Sequence, residues 1–265
     1  MSSLMQRKRV GRLEIAYRLT GSGAPLVLFH GAEGDHQIYN KVQDAIGGAL
    51  QVISFDQRDC GSTRFDDPAP YTLKDVAHDA VLLMDTLGYE RAHVLGNSIG
   101  GVLAQLMACH WPHRVDRLIL GLTWPADERL QDLNPSGIAR RAEYAALGEA
   151  GVRLTAEMMS SPAYLAAHPE LIDDLKTLRT EQTPEARARR MAAFSGPVDA
   201  NPSLIRNRTL IIGGETDQMV PASVTKRLAR RIEGSRFEIL PDAGHLAARQ
   251  YPEAFAVRVK DFLLA

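Results

Sequence analysis

Short apolar runs recur along the chain with segments of helical period between them, and that alternation narrows the possible folds more than any other feature. Val27-Leu28-Phe29, Val52-Ile53-Ser54-Phe55, His93-Val94-Leu95, Leu118-Ile119-Leu120 and Leu210-Ile211-Ile212 are each bounded by turn residues. Runs of this length and kind are what strands buried on both faces look like. Between two of them Leu73, Val76, Ala77, Ala80, Val81, Met84 and Leu87 fall on one helical face, with Thr72 and Asp75 spaced as a capping box and Gly88 as a stop. Alternating strands and helices build βαβ units, so the expected fold class is α/β: a mostly parallel sheet flanked by helices, which binds ligands at the carboxyl ends of its strands.

The alternation breaks over residues 124–208, where Ala, Arg and Glu dominate and the stretches 137–148 and 184–194 read as successive helices without strands. This predicts a helical cap, 124–208, inserted into a core made of residues 1–123 and 209–265. Beyond it the pattern resumes with a strand at 210–213, a helix at 222–232, a strand at 236–240 and a closing helix from Pro252 to Leu263. A length of 265 residues suits one large α/β domain with such an insertion.

Gly96-Asn97-Ser98-Ile99-Gly100 has Gly-x-Ser-x-Gly spacing and sits where the strand at 93–95 meets a helix at 101–110. A serine on so sharp a turn must adopt a strained backbone, glycines two residues away on either side avoid clashes, and the Oγ stands exposed above the sheet edge. Such a nucleophile needs a base. Of the eight histidines, His245 lies in the loop Pro241-Asp242-Ala243-Gly244-His245 after the last strand; the others lack a comparable setting and read as surface or packing residues. Asp217 follows Ile211-Ile212-Gly213-Gly214 in the loop leaving the neighbouring strand, where a carboxylate can reach that histidine; Asp242 is its nearest competitor for the same task. Ser98, His245 and Asp217 are therefore the candidate nucleophile, base and orienting acid. The loop His30-Gly31-Ala32-Glu33-Gly34 emerges at the same edge, which makes the Ala32 and Ile99 amides the candidate oxyanion hole.

Together the His30-Gly31 loop, the stretch Phe55-Asp56-Gln57-Arg58-Asp59-Cys60-Gly61-Ser62, the Ser98 elbow, Asp217 and Asp242-Ala243-Gly244-His245 resemble the α/β-hydrolase superfamily across nearly the whole chain. The chain order Ser98, Asp217, His245 is similar to the order of that superfamily. Within it the chain resembles enol-lactone hydrolases, small carboxylesterases and aclacinomycin-type methylesterases, which implies a serine hydrolase acting on a carboxylic ester or lactone. The family usually has glycine where this chain has Asp59, and Glu33 adds a charge beside the oxyanion loop; both read as surface loop carboxylates. Three other readings compete. Gly96-Asn97-Ser98 also resembles hydrolases that cleave carbon–carbon bonds of meta-cleavage products, which commonly carry tryptophan where this chain has Leu246. Asp56-Gln57-Arg58 resembles proline iminopeptidases, whose elbow differs from this one. A non-turnover ligand receptor on the same fold is the third, because fold alone does not guarantee activity.

Composition decides the partners. A formal net charge of −1 without a charged block argues against nucleic acid or a membrane surface, and 45% apolar with 24% charged residues gives an ordinary globular core. No stretch of apolar residues reaches the length of a membrane span, no signal-peptide pattern opens the chain, and Cys60 and Cys109 fit neither a disulfide framework nor a metal site. The expectation is a cytoplasmic monomer or homodimer with a small-molecule substrate and no cofactor or metal. Trp124, Tyr144, Met158 and Phe194 of the insertion are the candidate substrate-binding side chains, whereas Arg140, Arg141, Arg187, Arg189 and Arg190 read as solvated helix faces.

Overall fold

The computed structural model describes residues 5–32, 34–177 and 183–265. Among these, nine strands form one sheet: β1 Gln6–Val10, β2 Leu13–Thr20, β3 Ala24–Phe29, β4 Leu50–Phe55, β5 Arg64–Phe65, β6 Ala92–Asn97, β7 Val115–Gly121, β8 Arg208–Gly214 and β9 Arg236–Leu240. The spatial order is β1-β2-β4-β3-β6-β7-β8-β9, with β5 on the side of β2. From β4 through β9 every pairing is parallel, while β1, β2 and β5 pair antiparallel at one end.

The central parallel strands divide their side chains between two apolar layers with period two, as pleating demands. Val27 and Phe29 of β3, Ile53 and Phe55 of β4, Leu118 and Leu120 of β7 face one layer. Leu26 and Leu28, Val52 and Leu50, Ile119 face the other. Both layers are covered, which is why these strands read as unbroken apolar runs. On the first face lie α2 Leu73–Leu87 and α3 Ile99–His110; on the second lie α1 Asn40–Ile46 and the closing helix Pro252–Leu264. Helix α2 starts as its sequence predicts: Thr72 Oγ1 accepts from the Asp75 amide, Asp75 returns a bond to the Thr72 amide, and Gly88 ends the helix in the left-handed region at φ 82°.

The hairpin β1–β2 has no counterpart in the predicted strands. Its first strand is the charged, mostly exposed Gln6-Arg7-Lys8-Arg9-Val10, an edge position where no apolar run is required. Gly11, at φ 58°, makes the tight turn that joins the two strands.

Between β7 and β8, six α-helices, one short 3-10 turn at Pro202–Leu204 and no strand occur among the described residues: α4 Leu130–Leu133, α5 Pro135–Ala146, α6 Ala150–Met159, α7 Pro162–Ala167, α8 Leu171–Thr177 and α9 Pro184–Ser195. Prolines in the first turns of α5, α7 and α9, with Asn134, Ser161 and Thr183 capping them, give this segment its sharp starts. The remaining α-helices among the described residues are α10 Ala222–Ala229, α11 Ala247–Gln250 and α12, the closing helix already placed. No helix among the described residues is long and apolar enough to cross a membrane, and Cys60 and Cys109 are free thiols.

Candidate active site

Strand β6 ends at Asn97 and helix α3 begins at Ile99, so Ser98 alone makes the turn between them. Its backbone lies at φ 57°, ψ −128°, a region that costs a side-chain-bearing residue of order 1–3 kcal/mol and persists only where the surroundings impose it. They do so with three hydrogen bonds. The Ser98 amide donates to Gly121 O at 3.0 Å, and Ser98 O accepts from the Gly101 amide at 2.8 Å and from Thr123 Oγ1 at 2.7 Å. The flanking glycines have equally specific causes: a Cβ on Gly96 would lie 2.0 Å from Gly100 O, and one on Gly100 would lie 2.2 Å from Phe29 O. Thr123, which pins the serine from just beyond the end of β7, has no motif of its own in the sequence.

His245 Nε2 stands 3.0 Å from Ser98 Oγ, and His245 Nδ1 stands 2.8 Å from Asp217 Oδ2. The second oxygen of Asp217 accepts from the Met219 and Val220 amides, both at 2.8 Å, so the carboxylate is fixed at both ends. Its side chain is wholly buried and that of His245 nearly so. Asp242 is turned away: its carboxylate receives the hydroxyls of Ser161 and Tyr251, and its amide binds Glu215. Of the two candidate acids, the one in contact with the imidazole is Asp217. Gly244 is required because a Cβ there would lie 2.6 Å from Met159 O, where the inserted helices press on the histidine loop and Leu246 donates to that same carbonyl.

The loop after β3 lies beside the serine, with the position of a Cβ on Gly31 3.8 Å from Ser98 Cβ. Ile99 opens α3, so its amide has no acceptor within the helix. His30 is fully buried. Its Nε2 accepts from the Gln57 amide at 3.2 Å, which leaves the proton on Nδ1 to be donated to Gly31 O at 2.8 Å. Burial, then the charge of Arg190, lowers its pKa to about 3 and keeps it neutral. Glu33 lies outside the described residues.

The stretch after β4 owes its glycine to a carboxylate. A Cβ on Gly61 would lie 2.2 Å from Asp56 Oδ2, which accepts from the Ser62 amide, while Asp56 Oδ1 takes both the amide and the Nδ1 of His36, the latter at 2.7 Å. Asp35 joins them, and the ligand-type atoms of the three residues lie within 4.8 Å of one another. Those atoms already serve one another and nearby amides, which ties the β3 loop to the β4 loop. For His36, burial acts to lower the pKa, but the hydrogen bond and charge of Asp56 and the charge of Asp35 outweigh it and raise it. For Asp56, burial acts to raise the pKa and is outweighed by His36 and the surrounding amides, which lower it. The stabilisation from His36 is therefore complete below its unfolded value near 6.5 and fades as pH rises through the higher folded value; that from Asp56 is lost only in acid. His36→Asn is expected to cost about 3–5 kcal/mol near pH 6, as breaking a buried charged pair does. Unfolding melts of the two proteins from pH 6 to 9 should show the gap narrowing, and a gap that widens would contradict the pair.

Three expectations about charged groups need correction. Asp59 is not a surface carboxylate: its side chain is buried and holds Arg189 of α9 in two bonds of 3.0 and 2.7 Å. Its backbone sits at φ 58°, a conformation that explains why glycine is usual there and that aspartate tolerates better than most residues. Nor do Arg189 and Arg190 form a solvated face. Arg190 is 2% exposed, donates to Gly31 O and Gln57 Oε1, and lies over the Phe194 ring. Arginine on a short helical segment ordinarily signals solvent, and only the partners on distant loops reveal otherwise. Of the candidate pocket residues, Trp124 and Phe194 join the apolar cluster that includes Ile99 and Ala32, whereas Tyr144 and Met158 lie outside it on α5 and α6.

This sheet, with its serine elbow and the histidine and aspartate loops converging on it, defines a class. The model of the alpha/beta hydrolase fold family matches residues 24–248, and the chain belongs to that family. The chain is 28% identical to the RutD protein of Caulobacter sp. (strain K31), provisionally named a carbamate hydrolase, over 90% of each chain. An esterase of Thermogutta terrifontis superposes with a TM-score of 0.83 at 25% identity, covering 98% of both chains. The enol-lactonase of Burkholderia xenovorans LB400 gives 0.84 at 23% identity, over 98% of this chain and 100% of its own, a likeness of fold.

Proposed function

We propose that this hydrolase cleaves a carboxylic ester or lactone of a small, largely apolar molecule through an acyl-enzyme on Ser98. The observation that carries the reading is the continuous contact from Ser98 Oγ to His245 at 3.0 Å and from His245 to buried Asp217 at 2.8 Å, centred on a strained turn. In this mechanism His245 Nε2 takes the Oγ proton as oxygen attacks the carbonyl carbon, and the resulting oxyanion is held by the Ala32 and Ile99 amides. His245 returns the proton to the departing alkoxide, leaving the acyl group on Ser98. A water molecule then gives its proton to His245 and attacks the ester, and as the second tetrahedral intermediate collapses His245 returns that proton to the departing Ser98 Oγ, releasing the acid and restoring the serine. Asp217 orients the imidazole and stabilises its charged form.

Trp124 and Phe194 form the apolar wall for the acyl group, with Met158 and Tyr144 further out in the insertion, a lining suited to a compact or cyclic group. The names of the esterase and of RutD support hydrolysis at an acyl carbon, since both ester and carbamate cleavage pass through an attacked carbonyl. The test is a fluorophosphonate reaction followed by mass spectrometry, then turnover of a panel of acyl esters, lactones, carbamates and vinylogous diketones. The adduct is expected on the Ser98 peptide and the highest kcat/KM on an ester or lactone. An adduct on another serine would remove the nucleophile, faster cleavage of the diketones would favour carbon–carbon hydrolysis, and no turnover at all would favour a receptor.

A further inference from the structure

Arg190 is a guanidinium with 2% exposure, carried by inserted helix α9 into the base of the site, and the mechanism above gives it no task. What it touches is specific. It donates to Gly31 O at 3.2 Å and to Gln57 Oε1 at 3.3 Å. Gly31 O belongs to the same planar peptide unit as the Ala32 N–H. We propose that Arg190 is a positioning residue for the oxyanion hole, acting on the Ala32 amide through the carbonyl of the Gly31–Ala32 peptide; this rests on the acyl-enzyme reading of the site.

Two physical effects support it. A peptide plane held at its carbonyl end cannot rotate its N–H out of line, and here the carbonyl is held twice, by Arg190 and by His30 Nδ1–H at 2.8 Å. His30 is itself fixed by Gln57, whose amide donates to its Nε2 and whose side chain donates to His30 O at 2.9 Å. A charged donor on the carbonyl also draws electron density from the nitrogen, which makes the N–H a stronger donor, the cooperative strengthening seen along hydrogen-bonded chains. Arg190 thus reaches from helix α9 to the loop after β3 that supplies the amide.

The rival account is that Arg190 only anchors the helix. Arg189, the next residue, supplies the control: it docks the same helix through Asp59, whereas the side chain that donates to Gly31 O is that of Arg190. The experiment compares Arg190→Met, Arg190→Gln and Arg189→Met by kcat and KM on the best ester and by affinity for a trifluoromethyl ketone, which forms a tetrahedral oxyanion adduct on the serine. Deleting one oxyanion donor costs about 10²–10³ in kcat, so displacing one should cost about 10–100-fold. That loss is expected in Arg190→Met with KM little changed and with ketone affinity falling by the same factor, while Arg189→Met keeps both within about threefold. If Arg190→Met does not fold, Arg190→Gln is read by the same criteria. Retained kcat, a rise in KM alone, or an equal loss in Arg189→Met would overturn the proposal. Failure of the unaltered protein to label at Ser98 would instead overturn the acyl-enzyme reading, and this proposal with it.

Discussion

Ser98→Ala is expected to lower kcat on the best ester by about a million-fold, the loss seen when the nucleophile of a serine triad is removed. The magnitude follows from what remains. Without Oγ no acyl-enzyme can form, and His245 has only water to activate, in a site whose geometry is set for an attacking atom held on the protein. The oxyanion donors and the binding surface persist, so a residual acceleration of about 10³–10⁴ over the uncatalysed reaction should survive. The fold should be unaffected and stability little changed. The three hydrogen bonds that pin residue 98 use backbone atoms, and alanine meets the same φ of 57° with a smaller side chain. What alanine gives up is the hydrogen bond between Oγ and His245, a loss of about 0.5–1.5 kcal/mol. Steady-state kinetics beside a thermal melt checks both halves: a folded Ser98→Ala protein with activity within tenfold of the unaltered enzyme would place the nucleophile elsewhere.

The parts legible in the sequence are those where one local rule determines the residue. The parallel strands were legible because burial on both faces admits only apolar runs, and α2 because capping chemistry is local. Ser98, its two glycines and the Asp242–His245 loop were legible because close approach of backbones demands glycine, as Gly96, Gly100 and Gly244 each show. What stayed hidden depends on tertiary partners. Edge strand β1 carries charge because solvent covers it, so its pattern is that of a loop. Thr123 matters only because β7 ends beside the Ser98 carbonyl. Arg189, Arg190 and Asp59 looked solvated since charges on helices and loops usually are, and their burial arises from two segments 130 or more residues apart meeting at the sheet edge. Position in the sequence pointed to Asp217 without excluding Asp242, since both flank the right strands, and what separates them is which way each carboxylate turns.

That choice yields the second large effect, a loss of about ten-thousand-fold in kcat for Asp217→Asn. The direction follows from the two ends of the side chain. One end is fixed by the Met219 and Val220 amides, donors that accept no substitute for an oxygen. An asparagine must therefore keep its carbonyl oxygen there and point its NH2 at His245 Nδ1. Two donors cannot face each other, so the imidazole must present a lone pair at Nδ1 and carry its proton on Nε2, the nitrogen 3.0 Å from Ser98 Oγ. A protonated Nε2 cannot take the serine proton, and the wrong tautomer halts the reaction without displacing an atom. Substrate contacts are untouched, so kcat should fall while KM stays within a few-fold. Asp242→Asn is the matched control, because that carboxylate serves Ser161 and Tyr251 and makes no bond to the imidazole. It should keep kcat within about tenfold, well below the roughly 10²–10⁴-fold that losing general base catalysis costs. Measuring both variants on one ester decides the matter: a nearly silent Asp217→Asn beside an inactive but folded Asp242→Asn would transfer the orienting role to Asp242.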